Sequence, residues 1–412
     1  MAVSTGSYTV GSGGDYPTFL GAAGALADIA NLTGDLTFTQ ISDITESDAA
    51  VAVDENLAGH TLTITSNGNW TLTMGTDVAC RFHFEMEGPG TININDLCIV
   101  NTVDSANAKF YIVNIATACT INIYNIKMDL GAASFYAMYL NDNTPTVNCW
   151  NWAVKGPAAV AGNGLGFNVI AGNVANKYEN ISCHGCAINA GGQGGTFKNC
   201  VAVATNGVTA RFANLGAATG TNCASDDATN ADGNWSSGSG NQTNITVADE
   251  FASTTFADDT FLKVKSGGVC DDGGATPGIA TNTTGIRGNA RPSISDGASV
   301  SIGADQLQVT ASSTVKHDEG IPGDVIRLSG TGFGLVQGTG SVTVGGSTAT
   351  IVSWSNTQII CVVPGCQVGN RNIVVTNSDG ESATVAFKRQ YKARRLGIRL
   401  QRNYNKPLYL VG

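Results

Sequence analysis

The middle of the chain repeats one phrase, a short β-type run punctuated by Asn and, in most copies, by Cys. GTININDLCIV (90–100), CTINIYNIKMDL (119–130), TVNCWNWAV (146–154), YENISCHGCAI (178–188), FKNCVAVAT (197–205) and GTNCASDDA (220–228) follow one another. With one Asn in each as a marker (Asn95, Asn125, Asn151, Asn180, Asn199, Asn222), the steps are 30, 26, 29, 19 and 23 residues. That period is too short for separate domains and suits one supersecondary unit stacked on the next. Each phrase is β-branched and apolar, bounded by Gly, Asn and Asp, and cannot bury its face alone. A right-handed parallel β-helix answers all of this, because each coil covers the edge of its neighbour. Asn at a repeated corner tolerates the left-handed backbone of a tight turn and can bond the next coil's amide. An antiparallel sandwich is the competing fold, but its strands would recur at about 8–12 residues through hairpin turns.

Composition narrows the function classes. Among 412 residues there are 52 Gly, and only 13% are charged. This is the profile of a β-rich surface protein rather than of a metabolic α/β enzyme. No apolar run approaches the ~20 residues needed to span a bilayer, so no membrane partner is expected. The opening MAVSTGSYTVGSGGDY has neither a basic n-region nor an apolar h-region. A surface-type chain without that signal fits a virion component assembled in the host cytoplasm. The eleven cysteines, an odd number set mostly within β runs, read as small buried hydrophobes; whether Cys361 and Cys366 pair is left open.

Charge is unevenly placed. The net is −10, yet the last 25 residues hold Lys388, Arg389, Lys392, Arg394, Arg395, Arg399, Arg402 and Lys406 and no acid, leaving −18 on residues 1–387. Apolar and aromatic residues (Tyr391, Leu396, Ile398, Leu400, Tyr404, Leu408, Tyr409, Leu410) interleave with these cations. A purely solvating tail would not need them. The eight basic residues are therefore expected to form a docking arm that meets an acidic surface. Nucleic acid is a poor partner, because the acidic body repels a polyanion.

Taken in order, GSYTVGSGGDYPTFLGAAGALADIA (6–30) predicts a strand, a Gly-rich turn and a helix from Pro17 to about Ala30. Through Gly11, Gly13, Tyr16, Thr18 and the Ala-rich 22–25 it resembles the opening of pectin-methylesterase-like β-helix proteins. That resemblance implies a helical cap over the first coil, which would otherwise expose an apolar core and an unpaired edge. HTLTITSNGNWTLTMG (60–75) alternates as a strand and turns at Asn67 and Gly68. Later, Leu262, Ser266, Val269, Asp271, Gly273, Gly288, Asn289, Arg291, Pro292 and the run IGAD (302–305) resemble the terminal coils of microbial β-helix proteins. They imply that these coils close the solenoid near Gln306, although Phe261 directly precedes Leu262 instead of standing two residues before it.

From about Leu307 alternating strands predict an antiparallel sandwich. Gly323, Asp324, the run 330–334, Val342–Val344, Trp354, the run 357–364 and the run 373–380 resemble the IPT/TIG immunoglobulin-like domain. In its relatives this module is a spacer or interaction unit without a catalytic set. The fold expected is therefore all-β: a parallel β-helix with an N-terminal helical cap (1–306), an immunoglobulin-like sandwich (307–387) and a basic C-terminal docking arm (388–412).

Candidate chemistry is sparse. Asp226 with Asp227, Asp258 with Asp259, and Asp271 with Asp272 are the carboxylate pairs that could act as acid and base in an outer groove. Asp is also a favoured turn residue, and the catalytic phrases of pectin methylesterases and polygalacturonases are missing. Cys183, His184 and Cys186 offer three ligands where structural zinc wants four. Strand alternation sends the two Cys to opposite faces. No catalytic residue, metal or cofactor is assigned. The expectation is a non-enzymatic virion-surface structural protein of a tailed phage, a capsid decoration or head fibre anchored through its basic C-terminus. Its partners would be capsid or tail proteins and further copies of itself, a trimer being one form. A tail fibre or spike that binds host-surface glycans and a polysaccharide lyase or hydrolase are the alternatives.

Overall fold

The computed structural model describes residues 2–47, 52–75, 80–102, 108–113, 115, 118–131, 136–142, 144–156, 165–171, 173–189, 195–203, 212–213, 219–227, 239–258, 260–265, 268–275, 277–280, 282, 285–286, 301–304, 310–313, 319–331, 333, 337–338, 340–355, 358–377 and 382–390. The chain divides into two compact units, Met1–Leu307 and Gln308–Gly412.

The first unit is a parallel β-solenoid whose coils contribute strands to three faces. One face stacks Gly6–Val10, Leu36–Gln40, Thr61–Ser66, Thr91–Asn95, Thr120–Asp129, Thr146–Lys155, Lys177–His184, Thr196–Lys198 and Thr219–Thr221 in sequence order. A second stacks Ile44–Glu46, Thr71–Met74, Cys98–Asn101, the later halves of the three long strands, Val201–Val203 and Ala224–Ser225. A third stacks Ala52–Val53, Phe82–Phe84, Phe110–Val113, Met138–Asn141, Leu165–Ala171, Ala187–Asn189 and Phe212–Ala213. The turn at Asn67 and Gly68 is one corner, since Thr61–Ser66 and Thr71–Met74 lie in different faces. Alternation along each strand sends Ile, Val, Phe and Cys inward, and the core they form is continuous from coil to coil. Phe82 stacks on Phe110 at 5.5 Å, Phe110 meets Trp152 at 5.3 Å, and Tyr178 stacks on Phe197 at 4.6 Å.

The marker residues mark the corner between the first and second faces. Asn125, Asn151, Asn180, Asn199 and Asn222 have φ between 50° and 59°, the left-handed region that Asn enters at least cost among non-Gly residues. In the first phrase the corner falls on Asp96, at φ 59°, and not on Asn95. The ladder runs along the axis: Asn125 donates to Asp96 at 2.9 Å, and Asn151 donates to Asn125 at 3.0 Å. A second ladder, Asn148 to Asn122 to Asn93 with 3.0 Å steps, lies on the outer surface of the first face.

The cap differs from its expected form. Within 17–30 only Ala25–Asp28 is helical, a single 3-10 turn. Two glycines set this: Gly21 sits at φ 76°, and a Cβ on Gly24 would stand 2.1 Å from the Leu20 carbonyl oxygen. The buried Glu46 carboxylate accepts the Phe19 and Leu20 N–H groups at 2.6 and 3.0 Å, fixing an irregular path. Phe19, Leu20, Leu26 and Ile29 still close the core.

The described residues of the terminal-coil stretch pack as a cover on one face of the solenoid. The described residues between 245 and 304 pack against the outer surface of the second face. They form their own core with Ala153, Val201, Val203 and Ala224, through Ile245, Phe251, Phe261, Leu262, Val264, Cys270, Ile302 and Ala304. Ser266, Gly288, Asn289, Arg291, Pro292 and Asp305 lie outside the described residues. Corner asparagines hold this cover where the axial ladder ends. Asn222 donates to the Gly273 carbonyl at 3.0 Å, and Asn199 exchanges two bonds with Ala275 at 2.6 and 2.8 Å. Asn180 accepts from Asn282 at 2.7 Å.

The second unit is a two-sheet sandwich. Thr310–Ser313, Val325–Thr331, Gln358–Val362 and Thr350–Ser355 form a four-stranded sheet, and Glu319–Gly320, Ser382–Arg389, Gly369–Thr376, Ser341–Val344 and Ser347–Thr348 a five-stranded one. Ile326, Leu328, Phe333, Val342, Ile359, Cys361, Ile373, Val375 and Phe387 fill the space between. Gly345 and Gly346, both at positive φ, make the two-residue hairpin turn.

Candidate functional site

The anchor residues divide at the end of the sandwich. Lys388 and Arg389 belong to its last strand, in register with Asn370 and Gly369 on one side and Glu319 and Gly320 on the other. They are part of the domain, because the strand continues two residues past its expected end. Lys392, Arg394, Arg395, Arg399, Arg402 and Lys406 lie outside the described residues.

The described candidate acids stand in turns and short helical structure. Asp227 stands in a turn where its N–H meets Ser225 Oγ at 3.1 Å and its carbonyl accepts from Asn244 at 3.2 Å. Asp258 accepts from Ser253 Oγ, and its carbonyl accepts from Phe261 at 3.1 Å. Asp259 lies outside the described residues, and Asp271 and Asp272 form the last two positions of a four-residue helical turn. The most buried carboxylates are clamps. Glu179 accepts Gly278 N–H at 2.7 Å, Ile279 N–H at 3.2 Å and Asn282 Nδ2 at 3.3 Å. Glu250 accepts Val269 and Cys270 N–H at 2.9 and 2.7 Å.

Along the rim of the cover runs a charged row. Lys155 Nζ meets Asp129 Oδ2 at 2.8 Å, while Asp129 Oδ1 accepts Gly131 N–H at 2.9 Å. His184 is next to Lys155 in register, with Asp226 nearby. Burial holds His184 below its usual pKa, helped by Lys155 and opposed by Asp226. Asp129 and Lys155 form an ion pair in this row.

Cys183 and Cys186 enter the same core, contrary to strand alternation. Gly185, at φ 78°, turns the chain between them, and their thiols interact. Burial pushes the Cys183 thiol well above its ordinary range. All eleven cysteines are free, Cys361 and Cys366 included. Among the described residues no group of three or more His, Cys, Asp or Glu side chains is placed to hold a metal ion.

A different cluster stands on the outer surface of the third face. His83, Tyr111 and Tyr139 are in register on successive coils, each flanked by inward residues (Phe82 and Phe84, Phe110 and Ile112, Met138 and Leu140). Tyr111 and Tyr139 stack at 5.1 Å with 9° between their planes. The Arg81 guanidinium lies 3.9 Å from the Tyr111 ring centre, a close cation–π contact. The His83 ring meets Tyr111 edge-on at 4.9 Å, and its Nε2 is 3.0 Å from Glu85 Oε1. Burial, with Arg81 adding to it and Glu85 opposing, lowers the His83 pKa. Burial likewise raises the Tyr139 pKa. Tyr136 tilts against Tyr139 at 6.0 Å. All six side chains are half-buried. Sequence reasoning missed this strip although a signal existed: positions 83, 111 and 139 recur at steps of 28 residues. The Asn markers follow a different corner of the coil and drew attention away from it.

The second unit is an IPT/TIG domain: residues 313–389 match that family. Cyclomaltodextrin glucanotransferases resemble this chain over that domain alone. The protein of Geobacillus stearothermophilus is 33% identical over 96 residues, 22% of this chain and 13% of its own length. That of Paenibacillus macerans is 37% identical over 103 residues, 23% and 14% of the two lengths. The chain thus spans a small part of the curated relatives it matches. Among solved structures, the γ-CGTase of alkalophilic Bacillus clarkii shares 32% identity over 18% of this chain and 11% of its own, with a TM-score of 0.17. An auxiliary nutrient binding protein of Bacteroides ovatus shares 22% identity over 21% of each chain, with a TM-score of 0.18.

Proposed function

We propose that the chain is a non-enzymatic structural protein of a virion surface, a capsid decoration or head fibre of a tailed phage. One observation carries this reading: the most buried carboxylates clamp backbone, and a cover closes the second face where paired acids could have lined a groove. What is left is a rigid stack of coils joined to an IPT/TIG domain, suited to spacing and display. The relatives' glucanotransferase activity is not transferred, because the likeness is confined to that domain. In this reading residues 391–412, with Lys392, Arg394, Arg395, Arg399, Arg402 and Lys406, are the basic arm that docks on other virion proteins. Lys388 and Arg389 hold the arm's root in the sandwich. Assembly takes place in the host cytoplasm, and further copies of the chain are partners.

The test is a truncation after Gln390, which spares the last strand. Immunogold electron microscopy of purified particles should show the full chain on the particle and the soluble, folded truncation absent from it. A full chain absent from every particle overturns the virion reading, and an incorporated truncation overturns the anchor. A tail fibre or spike is the second reading, favoured by the half-buried aromatic strip on the third face; label confined to the tail would select it.

A further inference from the structure

We propose that Cys200 and Cys223 are a latent disulfide that closes when the chain passes from a reducing to an oxidising medium and staples the last coil of the solenoid. The proposal goes beyond the structural role and does not rest on a virion location, since any passage between such media would serve.

Register places the two residues opposite each other. Lys198 pairs with Thr221 and Val201 with Ala224, so the two residues between them on each coil also match. Cys200 and Cys223 therefore stand one strand spacing apart, roughly 4.8 Å, within the Cα separations of about 4.4–6.8 Å that a disulfide spans. Both side chains turn into the core. The Cys200 N–H donates to Cys223 Sγ at 3.4 Å, and the two thiols interact. Each thiol also donates to the carbonyl two residues before it, Cys200 to Lys198 at 3.4 Å and Cys223 to Thr221 at 3.3 Å. The side chains are thus stacked in the same orientation. The Cα spacing already suits the bond, so closure is chiefly a side-chain rotation.

Cysteines within the paired strands of the solenoid face other residues. Cys98 stands between Thr71 and Lys127, Cys149 between Ile123 and Tyr178, and Cys183 between Val154 and Ala202. Cys183 meets Cys186 across the turn at Gly185, where a bond would close a very short loop and constrain little.

Position gives the bond its effect. Thr219–Thr221 and Ala224–Ser225 are the last strands on their faces and pair over three and two residues, against nine between Thr120–Asp129 and Thr146–Lys155. The final coil is accordingly where the solenoid opens most readily. A bond there closes a loop over the 22 residues between Cys200 and Cys223 and withdraws freedom from the opened chain. Burial, with Cys223 adding to it, holds the Cys200 thiol well above its ordinary range. The closed coil is therefore inert toward oxidants, and reaction runs through its opening.

On opening, the thiolate of one cysteine attacks a small-molecule disulfide such as oxidised glutathione and expels one glutathione thiolate. The second cysteine attacks the mixed disulfide and expels the other. Two protein thiols lose two electrons and two protons, and one external disulfide becomes two thiols. In a reducing medium the exchange runs back.

The test incubates the full chain, purified under reducing conditions, with oxidised glutathione at mildly alkaline pH. Free thiols are then blocked with N-ethylmaleimide and peptides are mapped by mass spectrometry without reduction. A Cys200–Cys223 cross-link is expected, formed faster in subdenaturing urea, with Cys149 still free. Hydrogen exchange at 219–225 should slow about tenfold or more in the oxidised chain and recover on adding dithiothreitol. In Cys223→Ala that exchange should ignore the oxidant, while unchanged protection at 120–129 reports an intact fold. The proposal is overturned by no cross-link in urea that leaves both thiols alkylatable, or by a Cys183 link to Cys186 or Cys200 in its place. A cross-link that leaves exchange at 219–225 unchanged, or equal slowing in Cys223→Ala, also overturns it.

Discussion

The second and third faces of the solenoid are built from the same coils and differ in what stands outward. On the second, Ala153, Ser182, Val201, Val203 and Ala224 are small or aliphatic and buried, with the described residues between 245 and 304 packed on this row. On the third, His83, Tyr111 and Tyr139 are large and polar at one end and remain half-exposed. The inward residues are mostly large and apolar on both, Ile, Leu and Met with Trp152 on the second and Phe, Ile, Met and Leu on the third. The outward residues decide whether a face can take a second apolar layer. A small apolar row leaves room and a driving force for a cover. A row of stacked rings with a guanidinium and a carboxylate would lose hydration if covered without partners.

The largest effect should come from removing a clamp of the cover. Glu179→Ala takes away the acceptor of three donors from 278–282 and leaves them buried. A cost of about 3–5 kcal/mol is expected. Hydrogen exchange should rise at 277–282 and 301–304 while the inner coils stay protected. If the inner coils exchange together with the cover, the two layers are one cooperative unit and the contrast drawn above is wrong.

The third face has a buried charge of its own. Lys109 precedes Phe110, is fully buried, and donates to the Cys80 carbonyl at 3.4 Å. Burial pushes its pKa down to about 8 from the ordinary 10.5. Below about pH 8 the amine is protonated in both folded and unfolded chains, and the desolvation penalty is constant. Between about pH 8 and 10.5 the folded chain has lost the proton and the unfolded chain keeps it, so stability rises with pH. Lys109→Met should therefore stabilise the protein at pH 7 by at most about 3 kcal/mol, less whatever its hydrogen bonds contribute. Thermal melts of the two proteins should converge as pH is raised through that window. A constant difference would show that Lys109 does not titrate there.

Corners were the most legible part of the fold, because the left-handed turn asks for one residue type and the coil repeats the demand. Even so the first corner moved by one, to Asp96, since Asn95 beside it accepts from Thr65 at 2.6 Å and looks alike in sequence. The helix expected from Pro17 followed Ala propensity, which Gly21, Gly24 and the reach of Glu46 override. The cover was read as terminal coils because its apolar spacing resembles theirs. A contact between Lys127 and Asp258, 131 residues apart, is not a local pattern. The tyrosine strip was written in a 28-residue step, hidden by stronger Asn signals on another corner.

Substitution at a corner sharpens the contrast from inside. Asn151 is buried, sits at φ 59°, and donates to Asn125 at 3.0 Å. Asn151→Ala meets the left-handed penalty and breaks the ladder, for about 1–2 kcal/mol; Asn151→Gly avoids the first and should cost less. Chemical denaturation would rank them, and an Ala variant no worse than Gly would mean that the ladder, not the backbone, sets the corner.

The smallest effect is expected on the open face. Tyr139→Thr removes one stacked ring and leaves a β-branched residue that suits a strand. Its loss should be about 1 kcal/mol or less, the scale of one exposed aromatic pair. The reciprocal change, Ala153→Tyr, pushes a ring under the cover, where overpacking costs about 1–3 kcal/mol. Equal losses at the two sites in a denaturant titration would mean that the faces do not differ in kind. If only Ala153→Tyr is damaging, the tyrosines of the third face are dispensable to folding, and their regular stacking calls for a reason outside the fold.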